Sequence, residues 1–201
     1  MIMKKMILMA AIMLSSVSAF AQNEVGQFTL QPKVGINFAN LTGDGTKGKV
    51  GFAGGLEAEY GVAENFSLTL GAIFSMEGCK FEKVADKSPK LNLNYINVPV
   101  MLQYYIVPGL AIKAGVQPGF NISKKFSYDG TSVDADDYYQ GLGIDTKIKT
   151  FNFAIPVGAS YEYKNVVLDA RYIFGATKTF EHADKNKTSL FQITLGYKFA
   201  L

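Results

Sequence analysis

Residues able to do chemistry are few in this 201-residue chain and fall into four groups. The single histidine, His182, stands near Glu181 and Asp184, with Ser189 downstream. A hydrolase would need a base, a nucleophile and an acid in mutual reach, but no G-x-S-x-G or H-E-x-x-H pattern is present. Lys178, Lys185 and Lys187 crowd the same stretch and would lower the basicity of His182, so a solvated loop histidine is expected. The single cysteine, Cys79, excludes an intramolecular disulfide framework and a multi-cysteine zinc site. Between residues 123 and 149, Asp129, Asp134, Asp136, Asp137 and Asp145 accompany Tyr128, Tyr138 and Tyr139. Such carboxylates could hold calcium, although their spacing matches no EF-hand, and such tyrosines could dock a protein or glycan partner. The plain alternative is a mobile polar loop.

The fourth group is scattered. Lys33, Lys113, Arg171 and Lys198, with Glu57, Glu59, Glu77, Glu162 and Asp169, interrupt stretches otherwise made of apolar and small residues. All nine fall on one face of a period-two pattern. On residues 28–38, Phe28, Leu30, Pro32, Val34, Ile36 and Phe38 alternate with Thr29, Gln31, Lys33, Gly35 and Asn37. The alternation returns seven more times, around residues 52–60, 66–74, 96–104, 110–120, 151–161, 166–174 and 191–199. That is the signature of strands with one apolar face.

The connections between these runs alternate in length. Residues 62–65, 107–109 and 164–165 are short, whereas 41–49, 78–90, 123–149 and 176–189 are long. Eight runs of about ten residues match tilted strands across a bilayer. The sequence therefore predicts an all-β, eight-stranded, antiparallel up-and-down transmembrane β-barrel with short periplasmic turns and four long extracellular loops. A soluble barrel with its apolar face inside is the competing arrangement. Two features oppose it. The polar face is rich in Gly, Ser, Thr and Asn, which suits a crowded lumen. The apolar face carries aromatic residues at both strand ends, as interfacial belts do. Pro32, Pro99, Pro118 and Pro156 fit strands poorly; bulges, or strand ends rising beyond the membrane, are the expected accommodation.

The first 21 residues read as an address. Lys4 and Lys5 precede the apolar run Met6 to Leu14, and Ala19-Phe20-Ala21 forms a cleavage signal before Gln22. Nine apolar residues are too few to span a bilayer. The expected organisation is a cleaved signal peptide over 1–21 and one barrel domain over 22–201. The formal charge of +3, without a basic block, gives no reason to expect nucleic acid.

Several segments resemble the PorT-like outer-membrane β-barrel family. Tyr95-Ile96-Asn97-Val98-Pro99 is similar to its Tyr-Leu-x-Ile-Pro motif. Gly115 to Phe120 resembles its Gly-Pro-x-x-Gly-Tyr segment, with the proline displaced by two positions. Arg171-Tyr172-Ile173-Phe174-Gly175 and Gly196-Tyr197-Lys198-Phe199 resemble its last two strands. The resemblance spans the mature chain and implies a Gram-negative outer-membrane protein. The eponymous member takes part in type IX secretion, a role that the motifs do not carry over. The chain departs from the pattern by ending Phe199-Ala200-Leu201 rather than on an aromatic.

With the nine charges inside, four cations meet five carboxylates. Near balance in a confined space predicts a paired network, because an unpaired buried charge is costly. Lys33 is expected to pair with Glu57 or Glu59, and Lys113 with Glu162. An eight-stranded barrel is filled by its own side chains. The expectation is thus a non-catalytic protein with no cofactor or metal, whose activity lies in its loops. Its partners would be outer-membrane lipid, the barrel-insertion machinery and a protein or glycan at Tyr128, Asp134, Asp136, Asp137, Tyr138 and Tyr139. A narrow channel and a membrane-embedded lipid enzyme are the competing functions.

Overall fold

The structure is a computed structural model and describes residues 25–41, 46–81, 89–128, 131–141, 143, 148–177 and 188–201. The signal segment and His182 with its charged neighbours lie outside these residues, as do Asp129 and Asp145.

The elements are β1 (Phe28–Leu41), β2 (Thr46–Lys47), β3 (Lys49–Ala63), β4 (Phe66–Phe81), β5 (Lys90–Asn97), β6 (Val100–Val107), β7 (Leu110–Tyr128), β8 (Thr131–Asp134), α1 (Ala135–Gly141), β9 (Phe151–Tyr163), β10 (Val166–Gly175), β11 (Thr188–Tyr197) and β12 (Phe199–Ala200). Each of the main strands pairs antiparallel with its sequence neighbour, and β1 pairs with β11 and β12 to close a ring. β5 with β6, and β11 with β12, are two halves of single staves, so the ring has eight staves. β2 and β8 are short additions that pair with β4 and β7.

Alternation decides the faces. On β3, Phe52 and Leu56 are exposed while Ala53, Glu57 and Glu59 are buried. Below the raised part of the wall, most large apolar side chains point away from the lumen, which is unfavourable in water and required in lipid. Exposed rings mark both rims, with Phe38, Phe120 and Phe151 at one end and Phe28, Tyr163 and Tyr197 at the other.

The three short turns stand at one end of the ring. Lys164 and Asn165 form a two-residue turn with positive φ at both positions (45° and 71°), the geometry that matches strand twist. Pro108 and Gly109 form another, with Gly109 at φ 82°.

Two expectations are corrected. The stretches after Phe74 and Phe120 do not leave the sheet at residues 78 and 123. β4 runs to Phe81 and β7 to Tyr128, so the β4–β5–β7 wall rises above the rest of the ring. On β4 and β5 continued alternation keeps Cys79, Leu91 and Leu93 facing inward, whereas on β7 a bulge between Asn121 and Ser123 shifts the phase and turns Phe126 inward. Nor is Pro99 accommodated by a bulge. Ile73 stands opposite Asn97 and Leu70 opposite Val100, so no residue is inserted. The stave merely lacks one donor there, while the Pro99 carbonyl still accepts from Gly71 at 2.9 Å. Pro32, Pro118 and Pro156 stay within continuous, registered strands.

Candidate functional site

The lumen is built in layers. At mid-height lies an ion cluster. The Arg171 guanidinium of β10 donates to Glu57 of β3 at 2.6 and 2.8 Å, and to Asp169 at 2.6 and 2.8 Å. Lys113 of β7 reaches Asp169 at 2.7 Å and Glu57 at 3.4 Å. Lys33 of β1 reaches Glu57 at 2.9 Å and Asp169 at 3.6 Å. All five side chains are at most 2% exposed. Removing such charges from water is tolerable only with several partners each, and each carboxylate here has three.

The strands make room for these side chains with glycine. Lys33 is flanked in register by Gly55 and Gly196, and Gly158 lies between Lys113 and Arg171. A Cβ on Gly158 would stand 2.3 Å from the Ala170 carbonyl and 3.1 Å from Arg171 Cγ.

Nearer the turn end, Lys198 bridges Glu162 at 2.5 Å and Glu59 at 2.9 Å. Tyr105 donates to Glu59 at 2.6 Å, and Gln103 donates to it at 3.3 Å. The expected Lys113–Glu162 pair is therefore corrected. Lys113 stands opposite Gly158, four residues up β9 from Glu162, a displacement of about 13 Å along the strand. Above the ion cluster, the Glu77 carboxylate accepts from Ser75 at 2.9 Å and Asn97 at 3.1 Å rather than joining the ion pairs. Asn37 donates to Ser75 at 2.8 Å, and Gln192 donates to Asn37 at 2.8 Å.

At the loop end the raised wall carries an apolar cap. Cys79, Leu91, Leu93, Tyr95, Phe126, Ala135 and Ile148 form one buried cluster, with Phe81 and Tyr138 packed against it. Tyr138 of α1 stacks on Phe126 with ring centroids 4.0 Å apart. Asp136 pairs with Lys124 and accepts the Ile148 amide at 3.1 Å. Segment 131–141 is thus packed against the raised wall. Of the loop candidates, Asp136 and Tyr138 are engaged in these internal contacts, whereas Tyr128, Asp134 and Asp137 are exposed. The Tyr139 side chain lies outside the described residues. Ser189, the sequence partner considered for His182, meets the Tyr172 hydroxyl on the neighbouring strand. Among the described residues, no three of His, Cys, Asp and Glu gather to hold a metal ion.

Sequence reasoning missed the cap and Tyr105. Carrying the polar positions Asn97 and Gln103 along the same period places Leu91, Leu93, Tyr95, Met101 and Tyr105 inside as well, and all five are buried.

A closed ring of eight tilted staves with lipid-suited walls and a filled, charged interior defines a transmembrane β-barrel. The chain belongs to the family of outer membrane protein beta-barrel domains, whose pattern matches residues 20–181. Three solved barrels share the fold. Neisserial surface protein A is 16% identical and superposes with a TM-score of 0.54, covering 86% of this chain and 97% of that one. OprG from Pseudomonas aeruginosa is 14% identical with a TM-score of 0.52, covering 90% and 99%. Ail, the attachment invasion locus protein of Yersinia pestis, is 19% identical with a TM-score of 0.50, covering 88% and 100%. No curated protein matches the sequence.

Proposed function

We propose that this chain is a non-catalytic, PorT-like barrel of the Gram-negative outer membrane that engages a protein or glycan partner through its loop end. A cleaved leader over residues 1–21 exports it, and the insertion machinery assembles residues 22–201. The turn end faces the periplasm and the loop end faces outside.

One observation carries the reading: the lumen is filled at mid-height by the buried ion cluster, and an apolar cluster under α1 packs on the wall above it. A barrel so filled offers no aqueous path, and its remaining distinctive surface is the loop end, where Tyr128, Asp134 and Asp137 are exposed on an anchored platform. Anchoring lowers the ordering cost of binding there. The PorT-like motifs at residues 95–99, 115–120, 171–175 and 196–199 support the narrower family reading. The Ail barrel has been seen in complex with the heparin analogue sucrose octasulfate, which supports a saccharide as one partner class.

The test is a photo-crosslinking side chain at Asp137 in intact cells, paired with an impermeant thiol reagent on Asp137→Cys. Labelling of the intact cell and a discrete adduct, lost on Tyr128→Ala with Asp134→Ala, are the expected results. Labelling only after the outer membrane is opened would reverse the orientation. Adducts to lipid alone would remove the partner.

A further inference from the structure

A row of like charges crosses the outer face of the raised wall. Lys47 on β2 is the register partner of Lys80 on β4, and Lys80 is the register partner of Lys90 on β5. The rung continues to Ser127 on β7 and Ser132 on β8. Residues facing each other across antiparallel strands share a face and stand roughly 5 Å apart. That face is the outer one, because Cys79 and Leu91, the sequence neighbours of Lys80 and Lys90, are buried in the cap. Lys47 and Lys90 are exposed and Lys80 half-buried. Among the described residues, none of the three makes an ion pair.

Like charges placed directly opposite one another destabilise a sheet. Three in succession form a standing repulsion that a bound anion would relieve. The surroundings supply matching neutral donors. Asn92 donates to the Ser127 hydroxyl at 2.9 Å, and the Ser127 and Ser132 hydroxyls are 2.8 Å apart. Lys125, one diagonal away, is also exposed, and Asp134 is its register partner.

Depth identifies the anion. Ile122 is the last exposed large apolar residue of β7 before Tyr128. Ser127, on the rung, lies five residues above it, about 16 Å along the strand and less along the membrane normal because barrel strands tilt. Lysine stems fold back toward an interface by several ångströms. The rung therefore stands at headgroup depth on the outer face of the wall, within reach of the surrounding lipid.

We propose that the Lys47–Lys80–Lys90 rung, with Asn92, Ser127 and Ser132 beside it, is a wall site for the phosphorylated headgroup of an outer-leaflet lipid. The leaflet rests on the orientation given above; the binding itself does not.

The test uses the purified full barrel in zwitterionic micelles, where orientation plays no part. Retention of diphosphoryl lipid A and of its dephosphorylated form is measured by native mass spectrometry. A lysine near an anionic surface is worth about fivefold in binding, so three give about a hundredfold. The phosphorylated lipid should be retained at least tenfold better than the dephosphorylated one. The triple variant K47Q/K80Q/K90Q should lose at least tenfold of that retention, and Lys164→Gln at the turn end should lose none. Smaller losses in the triple variant, or equal retention of the two lipids by the native barrel, would overturn the site. Binding of soluble dextran sulfate at the rung without binding of lipid A would overturn the lipid assignment. If the triple variant lacks heat-modifiable migration, the native barrel decides: only the phosphorylated lipid should raise its unfolding temperature, and no difference between the lipids would refute the site.

Discussion

Arg171 and Glu57 meet across the lumen at 2.6 Å although their staves are not hydrogen-bonded neighbours. β10 and β3 are separated by β11 and β1 on the shorter way round. The bridge ties opposite walls together, and with it three cations face two carboxylates in one buried layer.

That imbalance predicts unequal mutational costs. Glu57→Gln leaves Lys33, Lys113 and Arg171 around Asp169 alone and should cost about 3–5 kcal/mol. Lys33→Met leaves two cations with two carboxylates and should cost less than about 1 kcal/mol. Urea unfolding in phospholipid vesicles checks both. Equal losses would show that net charge in this layer does not govern stability.

Gly158 is predicted to resist any side chain. Its Cβ position lies 2.3 Å from the Ala170 carbonyl and 3.0 Å from Arg171 Cα, both main-chain atoms of the adjoining stave. Gly158→Ala should cost about 1–3 kcal/mol by overpacking. Gly141→Ala, where a Cβ meets nothing within 4 Å, should stay within about 0.5 kcal/mol of the native barrel. Indistinguishable unfolding midpoints would mean that the β9–β10 ladder yields without strain.

Cys79 is a native reporter for the cap. It is fully buried beside Leu91 and Phe126, so a maleimide should modify the folded barrel slowly. Phe126→Ala removes the ring stacked on Tyr138 and should accelerate that modification about tenfold or more, since cap opening then costs less of a large buried contact. Heat-modifiable migration should persist, because the ring of staves is untouched. An unchanged rate would mean that α1 does not shield Cys79.

Reconstituted in planar bilayers, the barrel should show no steady conductance of porin size. Phe126→Ala should not create it, because the ion layer below remains. Persistent large steps from the native barrel would refute the filled lumen.

The legible part of this protein follows from period two. A strand exposes alternate residues to lipid and lumen, so Phe52, Leu56 and Leu68 outside and Lys33, Glu57 and Asp169 inside could be assigned one residue at a time. Turn chemistry was equally local, since Lys164-Asn165 and Pro108-Gly109 announce tight connections by residue type. Eight staves, their order and the filled interior come from those two local signals.

Pairing inside the lumen was not local. Neighbour-strand reasoning paired Lys113 with Glu162, whereas the stagger of tilted staves sets them about four residues apart in height. It could not foresee that Arg171 would span to Glu57, 114 positions away in sequence. The cap lay beyond the same horizon, because Cys79, Leu91, Phe126 and Ile148 become neighbours only when β4, β5 and β7 rise together and 131–141 folds over them. The sequence by itself determined the face that most side chains take, since that depends on backbone alternation, with Phe126 beyond the β7 bulge an exception. Only the closed ring decided which charges meet and at what height, since that depends on the register and tilt of all eight staves at once.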